Sequence, residues 1–222
     1  MNLVSETKNI TKTKLEQRGN EFKIKAPVTG SVVLNNAVVA SFGDGSLRFF
    51  RQNQEPFEVK AHKGVILNMS SNGQSIYTGG DDGRFLKISS DGQINEIYNY
   101  GSQWVDCVAS TENHFACSSG KKAYLWANFD RKPLIIDNSS TVGGLSFDFN
   151  GNKLAVSSYG GVTVWQKGDR RWKSSRFVWK GSHGKVTFSP DGKYLVSAMQ
   201  ENEVHGWRIR DKIDLAMAGY PA

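Results

Sequence analysis

The chain has 222 residues, 38% hydrophobic and 22% charged, with 28 Lys and Arg against 21 Asp and Glu for a formal charge of +7. Its two cysteines exclude a disulfide framework, and no apolar run is long enough to span a bilayer. The amino terminus lacks the apolar centre of a secretory signal, so the expected location is cytoplasmic with no membrane partner.

In chain order, residues 1–21 read as a flexible polar leader, with 2–17 either mobile or a short frayed helix. Residues 22–25 alternate apolar with basic and predict an isolated strand. Thereafter glycine-centred or polar turns recur about 40 residues apart, at Asp44-Gly45, Asp82-Gly83, Lys121-Lys122, Gly160-Gly161 and Asn202-Glu203. Each follows a short apolar run and precedes another. The predicted units span 28–60, 64–98, 103–137, 141–180 and 185–218, each of four short strands joined by antiparallel turns. No segment has the 3.6-residue periodicity of an α/β fold.

Cys107 and Cys117 flank a turn at Glu112 symmetrically and are expected to face each other across a hairpin as buried free thiols. With His114 they match no common zinc spacing. The basic excess concentrates in the first 25 residues and in 167–185. Gly79-Gly80, Gly143-Gly144 and Gly160-Gly161 lack the sequence of a phosphate loop, so no cofactor, metal or catalytic residue is expected.

The stretch Phe188-Ser189-Pro190-Asp191-Gly192-Lys193-Tyr194-Leu195-Val196-Ser197 resembles the first hairpin of a WD40 repeat. Ile76-Tyr77-Thr78-Gly79-Gly80-Asp81-Asp82-Gly83 resembles its second strand and following turn. Trp126, Trp165 and Trp207 match the third-strand tryptophan, with Phe50 and Ile88 in that slot of the first two units. The resemblance covers residues 28–218 and is closest to bacterial members of the WD40-repeat family. It implies an all-β propeller of about five four-stranded blades within a domain at 22–222. It also implies a buried hydrogen-bond set of histidine, hydroxyl, acid and tryptophan, which His183, Ser197, Glu201 and Trp207 would supply in the fifth unit. His62, Thr78 and Asp82 would supply a version without the indole in the second. No tryptophan is followed by aspartate, and the first, third and fourth units lack the histidine.

The fifth unit owns a fourth strand at 214–217, so residues 22–25 have no blade to close. The sequence therefore predicts an open arc, five blades of a seven-bladed propeller, with 219–222 leading into a further blade in a longer natural product. A closed five-bladed ring is the alternative.

Such a fold implies a non-catalytic scaffold that binds protein partners through its loops. The candidate partner-binding residues are Lys63, Asp81, Arg84, Lys121, Lys122, Tyr159, Gln200 and Asn202. One alternative is nucleic-acid binding through the basic aromatic segment 170–180, whose cations and aromatics could pair phosphates and stack bases; an edge strand protected by charge explains the same residues. Another is a propeller glycosidase, for which the inner strands offer Asp106 and Asp148.

Overall fold

The computed structural model describes residues 13–127, 132–169 and 171–218. A single turn-and-a-half helix, α1 (Lys14–Arg18), precedes the strands. The first sheet holds β1 (Val28–Leu34), β2 (Ala37–Phe42), β3 (Ser46–Arg51) and β4 (Phe57–Lys60) in that order. The second holds β5 (Ile66–Ser71), β6 (Ser75–Gly80), β7 (Arg84–Ser89) and β8 (Ile94–Asn99). The third holds β9 (Cys107–Ser110), β10 (His114–Ser119), β11 (Lys122–Ala127) and β12 (Leu134–Asp137). The last is a six-stranded sheet of β13 (Gly144–Phe147), β14 (Lys153–Lys167), β15 (Trp172–Phe188), β16 (Tyr194–Met199), β17 (Glu203–Arg208) and β18 (Ile213–Ala218). All neighbours pair antiparallel, so the described chain is all-β apart from α1.

The turns form for local reasons. Asp44 accepts from the Ser46 N–H at 3.0 Å, Asn72 from the Gln74 and Ser75 N–H groups at 3.0 and 2.8 Å, and Asp191 from the Lys193 N–H at 3.1 Å. Short Asx side chains thus replace backbone partners where each strand reverses.

The fourth and fifth predicted units are joined without a loop: the β13–β14–β15 ladder and the β15–β16–β17–β18 ladder are distinct and meet only through the continuous β15. β14 doubles back at Gly160-Gly161, and the Lys167 N–H meets the Asn152 carbonyl at 2.8 Å to close the hairpin. Gly161 has φ 131°, and a Cβ there would stand 2.1 Å from the Phe177 carbonyl oxygen, so glycine alone fits. Tyr159 pairs with Ser182 beyond this turn, and β15 runs through Gly181 without breaking into a loop. The first half of β15 therefore borders β14 and its second half borders β16.

Two further expectations are corrected. Residues 22–25 form no strand; Pro27 ends the approach to β1, and Phe22 instead lays its ring 5.3 Å from that of Phe50. Cys107 and Cys117 do not face each other, because Ser118 partners Cys107 while Cys117 partners Val108. The turn centres half a residue later than its symmetry suggested, since the Thr111 N–H and hydroxyl both engage His114. A one-residue offset sends the two thiols to opposite faces of the sheet. The expected linker at 219–222 and the leader before residue 13 lie outside the described residues.

Apolar residues gather in layers between sheets rather than in one core. Val39, Leu47 and Phe49 meet Ile66, Ile76 and Ile88 between the first two sheets. Tyr77 and Phe85 meet Val108, Cys117 and Trp126 between the second and third. Leu125 and Ile136 meet Val142, Leu154 and Val156 at the next boundary, and Val162 and Phe177 meet Val186, Leu195 and Trp207 between the two ladders that β15 joins. Each such side chain contributes about 1.5–3 kcal/mol on burial. Ile88, Trp126, Trp165 and Trp207 each pack in the layer toward the preceding sheet. Phe50 holds that slot in the first sheet, where Phe22 covers it. The first strands of successive units neighbour one another in the order β1, β5, β9, β13, β15; among the described residues no comparable packing returns from β15 to β1.

Candidate functional site

One end of the sheets is built from the turns at 43–45, 81–83, 120–121, 159–161 and 200–202 together with the segments that connect successive units. The two sets are bonded to each other. Ala61 and His62 N–H groups reach the Gly45 carbonyl at 3.1 and 3.0 Å, Tyr100 reaches Gly83 at 2.8 Å, Val142 reaches Gly120 at 2.9 Å and Gln200 reaches Ser182 at 2.9 Å. These bonds hold the loops as a single face.

Lys63, Lys121, Lys122, Tyr159, Gln200 and Asn202 stand exposed on it, with Asp81 and Arg84 half-buried. Arg84 is committed to the fold: it donates to Glu96 at 2.6 Å and to the Ala61 carbonyl at 2.9 Å. Lys122 pairs with Asp137 at 3.7 Å. The remaining residues leave a polar surface with two hollows. The larger, about 600 Å³, is lined by Trp104, Asp106, Ser119, Lys121 and Lys122. The smaller, about 310 Å³, is lined by Tyr159, Trp179, Lys180, Glu201 and Glu203. Trp104 is 59% exposed and was missed in the sequence; its signal is a tryptophan in a connecting segment rather than in a strand. Burial pushes the Asp106 carboxyl upward, against the opposing backbone N–H of Gly120. The Ser119 hydroxyl, also in this hollow, is buried without a partner.

Beneath the face, His62, Thr78 and Asp82 come together. His62 Nδ1 lies 2.8 Å from Asp82 Oδ1, and Nε2 lies 2.8 Å from Thr78 Oγ1. Burial lowers the His62 pKa despite the neighbouring carboxylate, so the ring is neutral at pH 7. Burial alone would raise Asp82, but the His62 ring and the N–H groups of Lys63 and Arg84 hold it below the usual carboxylate range. An ionised Asp82 only accepts, so Nδ1 carries the proton and Nε2 accepts from the Thr78 hydroxyl.

In the fifth unit the set differs. His183 Nδ1 lies 3.1 Å from Ser197 Oγ, while Nε2 lies 3.1 Å from the Trp179 carbonyl. Glu201 does not reach the ring; it accepts from the Ser182 N–H at 2.9 and 3.1 Å. Trp207 joins through its ring, 5.7 Å from that of His183. Sequence reasoning missed His205, which is fully buried, stacked 3.9 Å from Trp179 and edge-on 4.5 Å from Trp207. Nothing in its sequence neighbourhood distinguishes it, because alternation alone places it inward.

The aromatics of segment 170–180 are committed to packing. Trp172 meets His114 at 5.5 Å, Phe177 is buried against Trp207 at 6.0 Å, and Trp179 stacks on His205. Arg176 bonds Thr163 at 2.9 Å and the Tyr159 carbonyl at 3.3 Å; Arg170 lies outside the described residues. Asp106 precedes β9 on the loop face, whereas Asp148 follows β13 at the other end and accepts from the Lys153 N–H at 2.8 Å. Cys107 and Cys117 are both buried, and burial pushes the Cys107 thiol up to about 11. Neither is a reactive thiolate at neutral pH. No protein-family model matches this chain, and no curated protein matches it in sequence.

Proposed function

We propose that the chain forms a WD40-like β-propeller arc of about five blades and acts as a non-catalytic scaffold, binding a protein partner in the cytoplasm through its loop face. Four-stranded meanders stacked in sequence order, with first strands side by side, support the architecture. The His62–Thr78–Asp82 set supports the same reading, since it ties a connecting segment to a strand and a turn.

The observation that carries the binding function is Trp104. An indole 59% exposed in a hollow of about 600 Å³, rimmed by Lys121, Lys122 and Asp106, has the form of an interface anchor with polar surroundings. Tyr159, 55% exposed beside the second hollow, offers another. Catalysis finds less support. Asp106 and Asp148 stand at opposite ends of inner strands, separated by at least a four-residue strand of about 13 Å, which exceeds the ~10 Å limit for a carboxylate pair. Every histidine of the chain has its ring among packed aromatics or bonded to strands and turns.

The test is affinity capture with wild type, with the double variant Trp104→Ala/Tyr159→Ala, and with Lys153→Gln on the far end as control. Capture of a defined partner should fall at least about tenfold in the double variant, the effect of losing one anchor, while its thermal midpoint stays put. Undiminished capture by the double variant would overturn the assignment.

A further inference from the structure

The end of the sheets opposite the loop face has a different character. Two cavities of about 370 and 520 Å³ adjoin there, sharing Lys153 and Ile209. Their walls carry Lys153, Lys167, Lys173, Lys193, Arg208 and Arg210, and not one aspartate or glutamate. Topology explains the gathering. Gln166 pairs with Lys173 across β14 and β15, and the Asn152–Lys167 bond brings Lys153 alongside. The turn at 189–193 and the end of β17 add Lys193, Arg208 and Arg210 from the adjoining ladder.

Some of this charge is already answered. Lys193 pairs with Asp191 at 3.2 Å, and Arg208 and Arg210 share Asp211 at 2.8 and 3.3 Å. Among the described residues no ion pair answers Lys153, Lys167 or Lys173; the Lys167 ammonium lies 3.4 Å from His114 Nε2, which supplies no negative charge. With Lys167 turned toward His114, two uncompensated ammonium groups, those of Lys153 and Lys173, flank a concavity floored by Val164, Phe177 and Ile209. An apolar floor concentrates the field of such charges, raising the local concentration of anions. By contrast, the hollows of the loop face mix Asp106, Glu201 and Glu203 among their lysines.

The chemistry of the walls narrows the ligand. Tyr194 is the one wall aromatic with appreciable exposure, so the groove offers a stacking platform for a single base at most. Lysine heads are compact point charges suited to phosphate oxygens. The combined space falls in the range of about 300–1,000 Å³ that small-ligand sites occupy. We propose that this groove binds a run of phosphate groups through Lys153 and Lys173. The shared chemistry has two sources, a free oligophosphate or the sugar–phosphate backbone of a single strand. The site is separate from the loop face and stands whether or not that face binds a protein.

The experiment titrates the full chain with tripolyphosphate by calorimetry and with fluorescein-labelled dT8 by anisotropy, in 50 and 200 mM salt. Wild type is compared with Lys153→Gln/Lys173→Gln and with the loop-face control Lys63→Gln/Lys121→Gln. The groove variant should bind about tenfold more weakly and, with dT8, lose about 1.4 from the log–log salt slope; the control should match wild type. Tripolyphosphate binding without dT8 binding assigns a free oligophosphate, and the converse assigns the strand backbone. Failure of both probes at 50 mM salt, or equal loss in both variants, overturns the proposal. Unchanged thermal midpoints in the variants separate loss of the site from loss of the fold.

Discussion

His62 and His183 occupy equivalent places, each buried at the start of its unit and bonded to a hydroxyl on the second strand, yet their rings carry the proton on opposite nitrogens. In His62 the acceptor is a carboxylate on Nδ1, whereas in His183 it is a backbone carbonyl on Nε2. The hydroxyl follows the vacancy: Thr78 donates to Nε2 in one case and Ser197 to Nδ1 in the other. The requirement at this position is thus one donor and one acceptor on a neutral ring, met by different partners. Glu201, released from the ring, caps a backbone N–H instead.

The two histidine sites should diverge most when Trp207 is lost, since it packs against His183, His205 and Phe177. Trp207→Ala should cost about 3–5 kcal/mol in urea denaturation, and the loss should disturb the His183 side far more than the His62 side. Asp82→Ala comes next, at about 1–3 kcal/mol, because it strands the Nδ1–H of a buried ring and leaves the N–H groups of Lys63 and Arg84 without their acceptor. Glu201→Ala should leave the urea midpoint unchanged; an equal fall in both variants would erase the distinction between the two sites. Thr78→Val and Ser197→Ala each remove one hydroxyl and should cost about 1 kcal/mol.

Acidity probes both rings together. Burial holds the pKa values of His62 and His183 below the ordinary histidine value, so the unfolded chain takes up protons that the folded chain refuses. Their contribution is full above about pH 6.5 and declines as pH falls below it. The urea midpoint should drop between pH 7.5 and 5.5, and His62→Gln/His183→Gln should flatten that dependence. A midpoint that rises on acidification would mean the rings are charged in the fold. The finest probe involves no loss of stability: nitrogen chemical shifts should report protonated Nδ1 in His62 and protonated Nε2 in His183.

The sequence makes the repeat legible because Asx and glycine turns have local causes, as at Asp44, Asn72 and Asp191, and because alternation marks one buried face. What escapes it depends on distant or half-residue geometry. The unbroken run of β15 from the fourth unit into the fifth rests on Gly181, where a Cβ would meet Met199 and Glu201 from later in the chain. The thiol offset rests on one threonine hydroxyl at a turn. Residues 22–25 have the alternation of a strand but find a ring partner in Phe50 and no ladder. In the candidate site the exposed lysines were legible from turn position alone. The commitment of Arg84 to Glu96 and the enclosure of His205 by Trp179 and Trp207 were not, since both depend on which neighbours arrive across a sheet.

The division of the apolar interior into separate layers has a mechanical consequence. Each meander leans only on those beside it, so resistance to opening should be graded along the chain instead of shared by the whole molecule. Amide exchange would then be slowest in β6 and β10, which are sandwiched on both sides, and fastest in β18, whose Ile213, Leu215 and Met217 meet solvent. Damage at one terminus would peel the molecule from that side while its middle persisted.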